Sequence, residues 1–135
     1  MVTNKKIGND FETEFCNLLS KKGFWVHNFA QNQAGQPADI IAVKNQKAYL
    51  IDCKVCENDR FPFSRSEENQ CMSMDLWHLC GNHYGLFALR LKDGEIYIID
   101  YELIVHLWMA NESSLNRKSI EQYGIPFNRW VSQCM

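Results

Sequence analysis

The chain has 135 residues, a formal net charge of −2, and 46% hydrophobic residues. These values predict one packed globular domain over residues 1–135, and they argue against a disordered chain or a strongly basic coat protein. No apolar run is long enough to span a bilayer, and the start MVTNKKIGND has no signal-peptide core. We therefore expect a cytoplasmic protein without a membrane partner, whose six cysteines are reduced thiols.

Hydrophobic spacing divides most of the chain into helices and strands. Phe11, Phe15, Leu18 and Leu19 recur at helical spacing, and Gly23 ends that helix. β-branched apolar runs bounded by polar turns predict strands. In chain order we predict a helix over residues 8–22, strands over 24–29, 39–43 and 48–55, a helix over 64–80, strands over 85–91 and 95–100, and a helix over 101–111.

Turn and capping residues support the later elements. Ser64 and Glu67 have the spacing of a capping box, Gly81 ends the second helix, and Gly94 marks a hairpin. From residue 112 onward the periodicity is weak, so we expect mostly irregular structure. The order α-β-β-β-α-β-β-α predicts a mixed α/β fold in which helices flank a central mixed sheet of about five strands.

The most informative pattern is a pair of acids on neighbouring predicted strands. Asp39 lies at the start of one apolar run, and thirteen residues later Asp52 lies near the end of the next. Residues i and i+2 share a strand face, so Asp52 and Lys54 point one way while Ile51 and Cys53 point into a core. Two carboxylates beside an ammonium suit a hard divalent cation and phosphate chemistry, although a solvated ion pair gives the same pattern.

Two further polar residues fall on predicted helix faces. Glu12 lies closer than Glu14 to the apolar face of the first helix, although both could be ordinary solvated acids. Gln70 shares a face of the second helix with Met74 and Trp77. A buried amide needs hydrogen-bond partners, so Gln70 could orient a metal ligand or a water, or it could cap a strand end.

The segments GNDFETEF, PADIIAV, IDCKV and RFPFSRSEENQ together resemble the PD-(D/E)xK nuclease superfamily. Within it they are most similar to Holliday-junction resolvases, both the archaeal type and the type of Gram-positive bacteria and their phages. The resemblance covers about residues 8–100 and implies a restriction-endonuclease-like core. It also implies a single nuclease domain that cuts four-way DNA with Mg²⁺, for which Mn²⁺ can substitute, and without a small-molecule cofactor. One departure is Asp52, because resolvases usually have Glu there.

The resemblance assigns roles to residues. It implies that Asp39, Asp52 and Lys54 form the core of the active site, with Glu12 as an accessory acid and Gln70 as a supporting amide. The implied metal ligands are the carboxylates of Asp39, Asp52 and Glu12 and the backbone carbonyl of Cys53.

Binding residues are less well defined. Candidate contacts to the DNA backbone are Lys5, Lys6, Arg60 and Arg65, together with Lys21 and Lys22, although each could be a solvated surface charge. Symmetric cutting of a junction implies a homodimer. Its face could include Trp108, Met109 and Trp130, at least two of which we expect in the core. If a phage encodes the chain, the compartment is the host cytoplasm.

Two alternatives remain open on sequence alone. Cys53-x-x-Cys56 and Cys80-x-x-His83 have the spacing of zinc ligands, which would suit a non-catalytic DNA-binding module. Another nuclease of the same superfamily could act on flapped, damaged or duplex DNA. Its motif residues would be the same, since substrate choice lies in loops such as residues 31–36 and 58–64.

Overall fold

A computed structural model describes residues 3–29, 38–66 and 68–134, with the backbone alone at residues 68 and 69. The predicted loop over residues 31–36, Pro37 and the capping residue Glu67 lie outside these residues. The described elements are α1 (Asn4–Lys21), β1 (Trp25–Asn28), β2 (Ile40–Lys44), β3 (Lys47–Val55), β4 (Phe61–Pro62), a 3₁₀ turn (Phe63–Arg65), α2 (Glu68–Leu79), β5 (Leu86–Arg90), β6 (Ile96–Asp100), α3 (Tyr101–Met109), β7 (Ser114–Leu115), α4 (Arg117–Tyr123), β8 (Ile125–Pro126) and α5 (Phe127–Gln133).

The main sheet is mixed, as the sequence predicts. Its described strands follow the order β1-β2-β3-β5-β6-β8, so there are six rather than about five. The β3–β5 pair is parallel and the other pairs are antiparallel. A crossover containing α2 separates β3 from β5, which is the connection that a parallel pair requires. No described helix is long and apolar enough to cross a membrane.

A tight hairpin sets the register of the two motif-bearing strands. Asn45 and Gln46 form its two-residue turn with φ of 53° and 67°, and Lys44 pairs with Lys47. Positive φ at both central residues is the geometry that matches the twist of hairpin strands. This register places Ile40 opposite Ile51, so Asp39 and Asp52 come together at the same end of the hairpin.

The sheet buries a separate hydrophobic cluster on each face. Along β3, Ile51 and Cys53 belong to the cluster covered by α1 and α5, while Leu50 belongs to the cluster covered by α2 and α3. This alternation is the one predicted from the period of a strand. It leaves Asp52 on the face of α2.

Several predicted boundaries are wrong. Helix α1 begins at Asn4 rather than residue 8, because the Thr3 hydroxyl accepts a hydrogen bond from the Lys6 N–H at 3.1 Å and caps the helix. Helix α2 begins at Glu68 rather than residue 64, because the 3₁₀ turn occupies Phe63–Arg65.

The expectation of an irregular C-terminal segment is also wrong. Residues 114–133 form β7, α4, β8 and α5, and β8 adds the outermost strand to the main sheet. Trp130 is buried at 5% exposure, whereas Trp108 and Met109 are exposed at 54% and 81%. The expectation that at least two of these three lie in the core therefore fails. Helices as short as α4 and α5 depend on tertiary packing, which local periodicity does not reveal.

Candidate active site

Helix α1 presents Glu12 toward the sheet. Its side chain is buried at 5% exposure, and its Oε2 atom has no hydrogen-bond partner. Glu14 is exposed and forms an ion pair with Arg90 at 2.8 Å. The structure therefore brings Glu12 to the acid pair and directs Glu14 elsewhere, because the two lie on different sides of the helix.

The β2–β3 hairpin brings the two aspartates together. Asp39 Oδ2 accepts a hydrogen bond from the Cys53 N–H at 2.8 Å, and its carboxyl group also contacts those of Asp52 and Glu12. Asp52 is fully buried. Within a strand, the N–H and C=O of one residue face the same neighbouring strand. The Cys53 carbonyl therefore lies on the Asp39 side of β3, where it can add a metal ligand.

Lys54 and Gln70 hold the two oxygens of Asp52. Lys54 Nζ lies 2.9 Å from Oδ2, and Gln70 Nε2 donates to Oδ1 at 2.9 Å. Gln70 is itself buried, and its Oε1 atom has no partner. The Gln70 amide on α2 therefore fixes the orientation of the Asp52 carboxylate on β3, and its own Oε1 atom remains available as an acceptor.

Burial changes the protonation of these groups. It raises the pKa of Asp52 to about 8, with the nearby Asp39 carboxylate adding to the effect and Lys54 opposing it. Burial also raises the pKa of Asp39 to about 6. Hydrogen bonds from the Asp52 side chain and from the Cys53 N–H oppose this rise, whereas the Glu12 carboxyl group adds to it. For Lys54, burial lowers the pKa, but Asp52 outweighs burial and holds it above the ordinary value. The cluster therefore needs additional positive charge to ionise fully.

A divalent cation fits this requirement. Among the described residues, no three His, Cys, Asp or Glu side chains reach the geometry of an all-protein metal site. Mg²⁺, however, usually binds one or two carboxylates and keeps several waters. Asp39 and the unpartnered Oε2 of Glu12 supply hard oxygen ligands, and a bound cation would remove the cost of burying them beside Asp52.

An open cleft of about 520 Å³ lies over the acids. Lys5, Arg60 and Arg65 line it, together with Glu12, Asp39, Lys54 and Gln70. Lys6 does not line the cleft and forms an exposed ion pair with Asp10 at 3.0 Å. Of the six candidate DNA contacts, Lys5, Arg60 and Arg65 therefore surround the acids, whereas Lys6, Lys21 and Lys22 do not line the cleft.

Comparisons with known proteins identify the family of this chain. The sequence model of the archaeal Holliday junction resolvase (Hjc) family matches residues 3–108. The chain belongs to this family. It is therefore a DNA-binding, metal-dependent endonuclease of the Holliday-junction resolvase class, as the resemblance predicted.

A solved structure shows the same fold. Hjc of Archaeoglobus fulgidus, a Holliday junction resolvase from an archaeal hyperthermophile, matches with a TM-score of 0.70 at 14% identity. The match covers 93% of this chain and 99% of that one. No curated protein sequence matches this chain significantly.

Sequence reasoning missed the residues that support one wall of the resolvase cleft. This wall, residues 57–65, carries Arg60 and Arg65 and is tied to the segment that follows α3. Strand β4 pairs with β7, and Arg60 Nε donates to Ser114 Oγ at 3.1 Å. Arg117 Nη1 donates to Asp59 Oδ2 at 3.2 Å. No sequence signal identifies this tie, because its two halves are more than fifty residues apart.

The cysteines of the resolvase do not form the zinc cluster considered above. Cys53 and Cys56 are buried in different hydrophobic clusters, and Cys80 is exposed. The His83 ring stacks on Tyr49. Cysteine is a frequent core residue when reduced, which accounts for the two buried thiols.

Proposed function

We propose that this chain, as one nuclease domain over residues 1–135, resolves four-way DNA junctions by Mg²⁺-dependent hydrolysis of phosphodiester bonds. The observation that supports the proposal is the convergence of an ammonium, an amide and two carboxyl groups that line one cleft with the buried carboxyl group of Asp52 beneath it. The proposed catalytic residues are Glu12, Asp39, Asp52 and Lys54, and Gln70 is proposed as a residue that positions them.

The acids hold the cation in this proposal. Asp39 and Asp52 supply the main carboxylates, with the Cys53 carbonyl and Glu12 as further ligands. When bound, a divalent cation offsets charge on the scissile phosphate and lowers the pKa of a coordinated water. We assign Mg²⁺ because every proposed ligand is a hard oxygen, and Mn²⁺ accepts the same ligands.

Lys54 and Gln70 have different roles. Lys54 Nζ is the cationic donor nearest the acids, so it orients the attacking water and offsets the charge that develops on the phosphate. Gln70 touches neither reactant and acts as a positioning residue by holding Asp52 Oδ1. Lys5, Arg60 and Arg65 contact the DNA backbone from the rim of the cleft.

We further propose a homodimer, because a junction has two symmetric strands to cut and each chain carries one site. Trp108 and Met109, both exposed on α3, are candidates for the dimer face. Branched DNA as the substrate implies action in the cytoplasm, or in a host cytoplasm if a phage encodes the chain.

A cleavage panel tests the substrate. Purified protein with Mg²⁺ is offered a four-way junction, a flap, a linear duplex and a single strand of matched sequence. Paired symmetric nicks confined to the junction are the expected result. Equal attack on all four substrates would assign a general nuclease, and preferred cutting of the flap would assign a structure-specific nuclease of another kind. Light scattering on the same sample measures the dimer.

A further inference from the structure

An exposed row of rings lies along the edge strand of the sheet. Trp25, His27 and Phe29 alternate along β1 and its extension, so they share one face. The Trp25 and His27 rings are nearly parallel, at 15° and 6.4 Å between centroids, and His27 meets Phe29 edge-on at 5.3 Å. Trp25 is 61% exposed. Among the described strands, β1 has a neighbour on one side only, so the row lies at the edge of the described sheet.

The row ends next to the acids Asp39 and Asp52. Phe29 N–H donates to the Asp39 carbonyl at 2.9 Å, so the last ring of the row is next to the acid pair. Phe29 packs against the cluster that contains Leu50, and Leu50 shares its strand face with Asp52. The rings therefore lie on the same face of the sheet as Asp52. Two residues of strand advance about 6.6–6.8 Å, so the row extends about 13 Å from Phe29 to Trp25.

The charge near the Trp25 end of the row is positive. Residues 21–29 and 40–51 contain no Asp or Glu, although the whole chain has a net charge of −2. They contain four lysines, Lys21, Lys22, Lys44 and Lys47. Lys44 pairs with Lys47 across the hairpin, donates to the Lys22 carbonyl and lies over the Phe24 ring, so these charges gather at the Trp25 end of the sheet edge, on the α1 face opposite the row. A second copy of this basic surface would be repelled, whereas a phosphate backbone would be attracted.

We propose that the row of Trp25, His27 and Phe29 stacks on base faces exposed at the branch point of the DNA, while the lysines on the other face of the same sheet edge attract the backbone. Paired bases inside a linear duplex stack on each other and offer no free face. At a branch point the stack is interrupted, and aromatic side chains can bind the exposed bases. The row would then give the enzyme its preference for branched over linear DNA. This inference rests on the proposed function.

Binding measurements test the inference. Affinities for a four-way junction and for a linear duplex of the same sequence are measured in EDTA, so that nothing is cut. Trp25→Ala should weaken junction binding about tenfold and leave duplex binding unchanged. Trp25→Phe keeps a flat ring and should restore most of the affinity. Tyr123→Ala removes an exposed ring from α4 and should change neither affinity.

A fluorescent base gives an independent readout. 2-Aminopurine placed at the branch point should be quenched by the wild type and less so by Trp25→Ala, whereas the same base within a duplex arm should not respond. His27→Ala should reduce the quenching in the same direction. These variants should keep the wild-type cleavage rate when the junction is saturating, since none of the three rings belongs to the proposed catalytic residues.

Four outcomes would overturn the inference: unchanged junction affinity in Trp25→Ala, an equal loss on junction and duplex, no rescue by Trp25→Phe, or conversion of a dimer to a monomer by Trp25→Ala in light scattering. Failure of the proposed function looks different. In that case the wild type would not cut the junction with Mg²⁺, whatever the affinities show.

Discussion

The acids of the active site and the arginines at the rim of its cleft differ in how the fold holds their side chains. Asp52 is fully buried and Glu12 is 5% exposed, and their positions are set by two strands and a helix. Arg60 and Arg65 are exposed, and each donates one hydrogen bond, to Ser114 at 3.1 Å and to the Val55 carbonyl at 2.7 Å. Burial changes the protonation of the acids and fixes their positions, and catalysis requires fixed positions. Exposure leaves the long side chains of Arg60 and Arg65 free to follow a DNA backbone.

The largest effect is expected from removing a charge among the acids. Asp39→Asn should lower Mg²⁺-dependent junction cleavage by about a thousandfold or more, because one carboxylate ligand is lost. The affinity for the junction should change little, since Lys5, Arg60 and Arg65 at the rim of the cleft are unchanged. Asp10→Asn, which alters an exposed acid of α1, is the matched control. Full cutting by Asp39→Asn would remove the proposed mechanism.

Lys54→Ala should lower the rate at saturating junction about 100- to 10,000-fold, the usual range for a positioned donor or proton-transfer group. The variant also leaves Asp52 without its ion-pair partner, so its thermal stability should be measured beside its single-turnover rate. Lys118→Ala, which removes an exposed lysine of α4, should cut at the wild-type rate. A folded Lys54→Ala protein that keeps its rate would exclude Lys54 from catalysis.

Gln70→Ala should raise the Mg²⁺ concentration needed for half-maximal cleavage about 10- to 100-fold, because Asp52 Oδ1 loses the donor that orients it. High Mg²⁺ should restore most of the rate, which separates positioning from direct participation. Gln133→Ala, on α5, serves as the control amide. A variant that lost its rate at every Mg²⁺ concentration would instead require a direct catalytic role for Gln70.

The acids should also make stability depend on pH. The pKa values of Asp39 and Asp52, about 6 and about 8, lie above the ordinary Asp value, so between about pH 4 and pH 8 the folded protein binds more protons than the unfolded chain. Without divalent metal, the free energy of unfolding should therefore fall as pH rises through this window.

Thermal melts in EDTA at pH 5 and pH 8 measure this dependence. Added Mg²⁺ should raise the melting temperature more at pH 8, where fewer protons compete with it for the carboxylates. A melting temperature that rises with pH in EDTA would contradict the assigned pKa directions.

The smallest effect is expected at the rim. Arg117→Ala removes the hydrogen bond to Asp59 together with those to Asp93 and Glu121, and it should raise the KM for junction about two- to fivefold with kcat unchanged, since only the hydrogen bond to Asp59 supports the wall of the cleft. Arg117→Lys keeps a cation and should recover part of the loss, and exposed Lys118→Ala should have no effect. A fall in kcat would show that the contact between Arg117 and Asp59 also affects the positions of the acids.

Local patterns were informative wherever neighbours in sequence are neighbours in space. The alternation along β3 separated Asp52 and Lys54 from Ile51 and Cys53, and the turn at Asn45 joined the two motif strands. The position of Glu12 on its helix could be read in the same way. These inferences rest on the fixed periods of strands and helices.

Residues 112–134 could not be read in that way. Trp130 was a candidate for the surface, yet it stacks on Phe24 with centroids 5.7 Å apart. Helices α4 and α5 each have seven residues, too few for a strong apolar period. Their stability comes from packing against distant strands, and that packing is not a local property of the chain.

The sequence by itself determined the mixed sheet and the residues whose chemistry suits a divalent cation, because strand and helix periods assign each side chain to a face. Only the tertiary structure decided that Gln70 would reach Asp52, and that Arg117 would reach Asp59 across fifty-eight positions of sequence. Such contacts form when separate elements pack together, and no local period encodes which distant partners will meet.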